Sequence, residues 1–503
     1  MAAGVFTLLT AEAALVRGPY LQRLTTNSVI MRWRTSVPLD SQILYGPAPD
    51  ALVQSAYDPS AVTEHVVNLS NLLANTRYYY AVKSGDIPLA SGPEFSFVTA
   101  PMGPKPTRIW VLGDPGTARV HEQGMPGYEG LAAAVRDAYY AYSAGRDTDV
   151  WLMLGDDAYL NGTDQQFQTA LFEIYPEMLR RTALWSCLGN HDYNPLAGFP
   201  YLEIFSFPTN AEAGGVPSGS ELYYSFDYGN IHFVCLDSEV SSRATDGPML
   251  TWLARDLAAH TKDWLIAFWH SPPYTKGSHD SDAYDHSNQM PEMRSRALPL
   301  LEAHGLDLML SAHSHSYERS YLLDGHYGHS STLTPAMQKD AGTGRPNETG
   351  AYRKPSLGPA PREGAVYVVA GSSGWVTPYG SLNHRAMCTS GFVLGSLVID
   401  VSSNRMDVVF LRETGAIEDH FTLLKGAGPE PLRLCTFQAG GGRVIARWKS
   451  VAGRAYQVEQ SPTLEPGAWT PNSPVLTATG ATTSWTNAAP EAGTAFYRVV
   501  EVP

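Results

Sequence analysis

The chain reads as three folded parts in series: a β-sandwich, a larger α/β sandwich, and a second, small β-sandwich. Three observations carry that reading. Short runs rich in aromatic and β-branched residues, separated by turn residues, fill both ends of the sequence. Between them, near-continuous apolar strands alternate with helical stretches, the pattern of sheets buried on both faces. A Pro/Gly linker, Pro101-Met-Gly-Pro-Lys-Pro106, divides the first part from the second.

Residues 1–16 open with an apolar stretch followed by Ala11-Glu12-Ala13, a small-x-small pattern like a signal-peptidase site, although no basic residues precede it. They read as a signal-peptide remnant, and the chain as exported to the periplasm or beyond. Residues 17–100 form the first sandwich. Ser28 to Arg34 alternates apolar and polar residues, and Arg77 to Lys83 is strand-like by its tyrosines.

Residues 105–425 form the central domain. Strands such as Arg108 to Leu112 and Asp149 to Leu154 run directly into Gly-Asp pairs. Helices are expected over Gly130 to Tyr142, Asp164 to Arg180 and Pro248 to His260. Gly325 to Glu363, rich in Gly, Pro, Ser and Thr, reads as a long and only partly ordered surface insertion. The strand Ala365 to Ala370 resumes the core. Residues 430–503 return to short strands at Gly442 to Trp448, Ala455 to Glu459 and Ala495 to Val502.

With 503 residues, 44% of them hydrophobic and 17% charged, the chain can bury several cores. No apolar run reaches membrane-spanning length. The formal charge of −14 and the lack of a basic stripe argue against nucleic-acid binding. Cys187, Cys235, Cys388 and Cys435 fit no zinc spacing. Cys187 and Cys235 lie in apolar runs and read as buried thiols, although a disulfide is compatible with the sequence.

Five short blocks carry the chemistry, and each follows a strand: Gly113-Asp114, Gly155-Asp156-Asp157-Ala158-Tyr159, Gly189-Asn190-His191-Asp192, Trp269-His270 and Ala312-His313-Ser314-His315. Each alone is a weak signal. A Gly-Asp pair is usually a turn, and a lone histidine usually a hydrogen-bonded structural residue. In series they supply what two metal ions about 3.5–4 Å apart require: a carboxylate to bridge, hard oxygen ligands, and imidazoles. Asp157 and Asp192 stand beside these candidates. They read either as acceptors orienting His191 or water, or as solvated turn carboxylates.

This order of blocks resembles the metallophosphoesterase superfamily, and Gly-Asp-x-x-Tyr with Tyr159 resembles its purple acid phosphatases. His313-Ser-His-Ser-Tyr-Glu-Arg319 resembles that family's block ending in Tyr-Glu-Arg, and Arg17-Gly-Pro-Tyr-Leu-Gln22 the start of its fibronectin-III-like domain. The resemblance covers about Arg17 to Leu424 and not the C-terminal part. It implies a four-layer central sandwich. It also implies that Asp114, Tyr159 and His315 bind Fe(III), that Asp156 bridges, and that Asn190, His270 and His313 bind a divalent Fe, Zn or Mn. One departure is Ala312, where the family usually has glycine; the change bears on local backbone geometry more than on ligation.

The implied activity is that of a binuclear-metal acid phosphatase, which hydrolyses phosphate monoesters by attack of a metal-bound hydroxide on phosphorus. His191, next to Asn190, is the first candidate for phosphate contact. His279, nine residues after His270, stands where the family places an acid–base histidine, and His286 in the same loop is an alternative. The expected partner is a small phosphorylated substrate. Phosphodiesterase or phytase activity on the same site, and a binding protein on a disabled phosphatase scaffold, are the rival readings. Against the last, every expected ligand position carries a competent residue.

Overall fold

The computed structural model describes residues 14–117, 130–193, 199–283, 288–426, 434–440, 443–450, 455–463, 468–480, 482–487 and 495–502. The chain divides into two compact units, 1–426 and 427–503.

The first part is built on one bent strand. Val29–Gly46 pairs through its first half with Leu15–Gln22 and through its second with Arg77–Ser84, while Gln54–Leu69 runs beside both halves. Its register shifts between Arg34 and Leu39, around Val37-Pro38. Proline cannot donate to a ladder, so a bend there costs no hydrogen bond. The two halves close over Leu21, Met31, Trp33, Ile43, Tyr80, Val82 and Phe97. The first strand begins at Leu15, opposite Thr35, so it takes in the last two residues of the expected leader.

Two arginines, one of them buried, fasten this part to the next. Arg17 is 2% exposed, lies 3.1 Å from Asp164 and stacks on Phe172 at 4.3 Å. Arg34 grips Asp164 with both terminal nitrogens at 2.5 and 2.8 Å. Tyr20 donates to the Ile204 carbonyl and Tyr80 to that of Arg180.

The central part holds two seven-stranded sheets. In the first, Thr107–Leu112, Val150–Met153 and Leu184–Ser186 run parallel, and Gly395–Ser402 lies antiparallel on the other side of Thr107–Leu112. In the second, Ile231–Cys235, Trp264–Phe268, Leu308–Ser311 and Val366–Ala370 run parallel. Alternation along the strands sends Ile109, Val111, Phe233, Ile266, Leu308 and Val368 into one shared core. Tyr317 of the second sheet stacks on Phe410 of the first at 4.1 Å.

Helices cover the outer faces. Leu131–Ser143 buries Ala132, Val135 and Tyr139, a spacing of three and four residues, and Tyr139 stacks on Trp110 at 4.2 Å. Pro248–Ala259 buries Met249, Trp252, Leu253 and Leu257 against Val234, Leu265 and Ala267. The expected helix over Asp164 to Arg180 is instead broken into Asp164–Phe167, a π-turn Gln168–Phe172, and Pro176–Leu179. Pro176 lacks an N–H and disfavours helical geometry at Tyr175, which turns out of the helix at φ −117°.

The insertion also departs from expectation, because residues 325–363 are ordered throughout. It forms two short 3-10 turns, and Tyr352–Lys354 becomes the edge strand of the first sheet beside Ile417–Lys425. Buried charge anchors it: the ammonium groups of Lys354 and Lys425 clasp the Asp307 carboxylate at 2.6 and 2.9 Å. Composition registered the turn residues and missed that anchor.

Cys187 and Cys235 are buried free thiols, Cys388 is also free, and the Cys435 side chain lies outside the described residues. In the second unit Leu434–Gly440, Arg443–Lys449 and Thr482–Asn487 form one small sheet. Ala455–Ser461 and Phe496–Val502 form the centre of another, and Ala446, Trp448, Tyr456 and Val458 are the buried core. Among the described residues no helix is long and apolar enough to cross a membrane.

Candidate metal centre

The parallel strands of both sheets end at one edge, and the five blocks are the turns that follow them. Three of the turn residues, Asp114, Asp156 and His313, sit at φ +53°, +56° and +63°. Non-glycine residues rarely adopt that region, and each such residue costs on the order of 1 kcal/mol. The reversal carries each side chain across the sheet edge towards the others. Space between the turns is tight. A methyl group on Gly189 would lie 2.3 Å from Oδ1 of Asp156, and one on Gly155 2.9 Å from Nδ1 of His270. Ala312, the departure noted above, is fully buried and donates its N–H to the His270 carbonyl at 2.9 Å.

Two sets of atoms converge. In one, the Tyr159 phenol oxygen lies 2.9 Å from Asp114 Oδ1, 2.9 Å from Asp156 Oδ2 and 3.2 Å from His315 Nε2. In the other, His270 Nε2 lies 3.0 Å from Asn190 Oδ1, 3.2 Å from His313 Nδ1 and 3.4 Å from Asp156 Oδ2. Asp156 Oδ2 belongs to both. The ligating atoms of Asp156, His270 and His313 all lie within 4.8 Å of one another.

Neighbouring groups fix these rings. His270 Nδ1 meets the Leu154 carbonyl at 2.8 Å and His315 Nδ1 the Thr377 hydroxyl at 2.8 Å, which leaves each Nε2 turned inward. The His313 N–H donates to Asp114 Oδ2 and the His191 N–H to Asp156 Oδ1, both at 2.8 Å. His191 packs its ring on Tyr159 at 4.6 Å and meets the Leu160 carbonyl through Nδ1. The His279 ring stacks on His313 at 3.9 Å. All nine residues singled out in the sequence therefore meet in one connected set. His286 lies outside the described residues.

The electrostatics favour cations. Burial, then the Asp114 and Asp156 carboxylates, push the Tyr159 phenol well above its ordinary value. Burial opposes protonation of His270, but Asp156 beside it outweighs that and raises it. Burial and His270 drive His313 down. Two imidazole nitrogens face each other and a phenol faces two carboxylates, so protons alone satisfy the cluster poorly. The donor set of carboxylate, phenol, amide oxygen and imidazole fits iron or zinc.

Asp157 and Asp192 are not solvated, and neither carboxylate accepts a hydrogen bond from the His191 side chain. Asp192 is fully buried and accepts the backbone N–H groups of Asp156, Gly189 and Ala158 at 2.8, 3.0 and 3.1 Å, tying two of the turns together. Asp157 accepts from the Ser186 hydroxyl at 2.6 Å, and burial pushes its carboxyl up to about 7. Sequence reasoning missed Trp375, whose ring lies 5.3 Å from Tyr159 and 4.5 Å from His315, and missed Thr377. Both follow the strand Val366–Ala370. That strand enters a Gly-Ser-Ser-Gly turn with no ligand-type residue to flag it.

Residues 107–317 match the family profile described as calcineurin-like phosphoesterase, and residues 19–99 the one described as the purple acid phosphatase N-terminal domain. The chain is 31% identical to purple acid phosphatase 23 of Arabidopsis thaliana over 288 residues, which covers 53% of this chain and 60% of that protein. It is 27% identical to phosphoenolpyruvate phosphatase of Allium cepa over 321 residues, covering 58% of this chain and 60% of the relative. It thus spans about 60% of the length of these two relatives. Its fold is similar to that of purple acid phosphatase PPD1 from yellow lupin seeds, with a TM-score of 0.63 at 16% identity over 81% of this chain and 75% of that one.

Proposed function

We propose that this chain, which belongs to the purple acid phosphatase family, hydrolyses phosphate monoesters at a centre for two metal ions. The observation that carries this reading is the double membership of Asp156 Oδ2, which lies 2.9 Å from the Tyr159 phenol and 3.4 Å from His270 Nε2. One carboxylate oxygen shared by two donor sets is what a bridged pair of ions needs. Asp114, Tyr159 and His315 would hold Fe(III), because a phenolate suits a hard trivalent ion. Asn190, His270 and His313 would hold divalent Fe, Zn or Mn, and Asp156 would serve both.

Two such ions supply a nucleophile from water near working pH and neutralise phosphoryl charge. The protein residues then have distinct tasks. His191, anchored through Nδ1, presents Nε2 to a phosphate oxygen. His279, stacked on His313, gives the departing alkoxide its proton. Trp375 packs against the rings of Tyr159 and His315 and holds them in place. The run ending in Ala11-Glu12-Ala13 supports export.

A panel of monoesters and diesters assayed across pH, with metal content measured on the same sample, tests the reading. Two ions per chain and preference for monoesters are expected. A visible tyrosinate band that disappears in Tyr159→Phe is expected as well. Fewer than about one ion per chain, or no monoester turnover in a fully loaded protein, would overturn it.

A further inference from the structure

Glu318 lies in the strand Tyr317–Ser320, beyond the last of the blocks that converge on the centre. Alternation sends Tyr317 and Arg319 between the two sheets, where both bind the Asp419 carboxylate. Glu318 points the opposite way and is fully buried. A buried carboxylate costs several kcal/mol unless donors surround it, so what it touches is informative. It accepts the N–H of Lys276 at 3.1 Å, the hydroxyl of Ser316 at 3.1 Å, and the hydroxyl of Thr275.

Two of these three contacts, those of Thr275 and Lys276, fall on the segment that carries His279. The Thr275 hydroxyl in turn accepts the Gly277 N–H at 3.1 Å and lies 2.9 Å from the Ser314 hydroxyl. Ser278 then accepts the His315 N–H at 2.9 Å. Thr275 to Ser278 is thereby stitched to the His313-Ser314-His315 turn from both sides, and His279 emerges with its ring on His313.

We propose that Glu318 is a positioning residue: it fixes the backbone of Thr275 to Gly277 so that His279 is held over the metal centre where the leaving oxygen departs. The proposal rests on the phosphatase reading for its kinetic consequence, while the backbone anchoring stands apart from it. Glu318 touches no reacting atom. It acts through loop geometry, and displacement of a reacting group by about 1 Å costs up to roughly 100-fold in rate.

The test is a double-mutant cycle of Glu318→Gln and His279→Ala, with metal content measured on every protein. In the wild-type background Glu318→Gln should lower kcat about 10-fold on an alkyl phosphate and much less on 4-nitrophenyl phosphate, whose leaving group needs no proton. In the His279→Ala background it should add little. Thr275→Val, which removes only the bridging hydroxyl, should give the same pattern if Glu318→Gln does not fold. Equal losses in both backgrounds, or a loss that tracks missing metal, would overturn the assignment.

Amide exchange provides a readout independent of turnover. The N–H groups of Lys276 and Gly277 should exchange at least about 10-fold faster in Glu318→Gln, with those of Asp114 and Asp156 unchanged. Unchanged exchange at Lys276 and Gly277 refutes the anchoring. If the wild-type protein turns over no ester, the functional reading fails, and exchange alone decides whether Glu318 anchors the loop.

Discussion

Replacing Asp192 with asparagine should loosen the centre without removing any of the converging side chains. Its two carboxylate oxygens accept three buried backbone N–H groups, those of Asp156 and Gly189 on Oδ2 and that of Ala158 on Oδ1. Asparagine offers one oxygen. In its better orientation it keeps the Asp156 and Gly189 donors and turns its own NH2 against Ala158. Burial, with Asp157 and Asp156 beside it, pushes the Asp192 carboxyl well above its ordinary value, so the loss is set by the stranded donor, which costs about 1–3 kcal/mol. That loss of local stability corresponds to roughly 10- to 100-fold faster amide exchange at Asp156, Ala158 and Gly189. Exchange read by mass spectrometry on peptides spanning these positions, together with metal retained after dialysis against a weak chelator, measures it. Wild-type exchange and wild-type metal retention together would mean that Asp192 does not hold these three N–H groups, and the clasp would be wrong.

Three further outcomes are expected. His191→Ala should keep its metals and lose about 10- to 100-fold in kcat, the worth of one charge-assisted hydrogen bond to phosphate; unaltered kinetics in a fully metallated variant would remove His191 from the reaction. Burial disfavours the His232 imidazolium, but Asp227 at 2.7 Å and Asp256 at 2.9 Å outweigh it and lift His232 to about 9. Its contribution, on the order of 3 kcal/mol, is therefore complete below pH 6.5 and lost as pH rises through 9. Thermal scans between pH 6 and 9.5 should show that decline, and His232→Asn should flatten it; an identical slope in the variant counts against the assignment. Asp307→Asn should cost about 3–5 kcal/mol because Lys354 and Lys425 lose their shared carboxylate, and Leu265 N–H donates to the same group. A melting temperature within a degree of wild type would contradict this.

The residues of the candidate centre were legible because the chemistry proposed for them demands uncommon residue types at strand ends. Asp114, Asp156, Asn190, His270, His313 and His315 all occupy the turns where the sequence pointed, and the structure gathers them together with Tyr159. The supporting contacts were not legible for the opposite reason. Asp192 binds backbone N–H groups that any sequence supplies, and Thr377 offers a hydroxyl like any other. Composition misled at the insertion, where Gly, Pro, Ser and Thr suggested partial order and a single buried lysine, Lys354, anchors an edge strand. Periodicity misled at Asp164 to Arg180, where Pro176 carried the correct signal. The bent strand Val29–Gly46 was read only as far as Arg34, because Val37-Pro38 looks like an end and is in fact a corner.

The closeness of Gly155 and Gly189 to their neighbours bears on how such a centre can change over generations. A methyl group on Gly189 would lie 2.1 Å from the Asp156 nitrogen, and one on Gly155 2.7 Å from the Gly189 nitrogen. Neither obstacle is a side chain that could swing aside. If the converging side chains hold metal as proposed, one of them can be exchanged for another donor of similar reach, and the metal preference would drift with it. The two glycines allow no such intermediate, since any side chain there pushes one main chain into another. In a saturation library the proposed ligand positions should therefore return partly active or re-metallated survivors, while Gly189 should return almost none. The scaffold's capacity for new chemistry lies in the donors it displays, and its inertia lies in the two residues that display nothing.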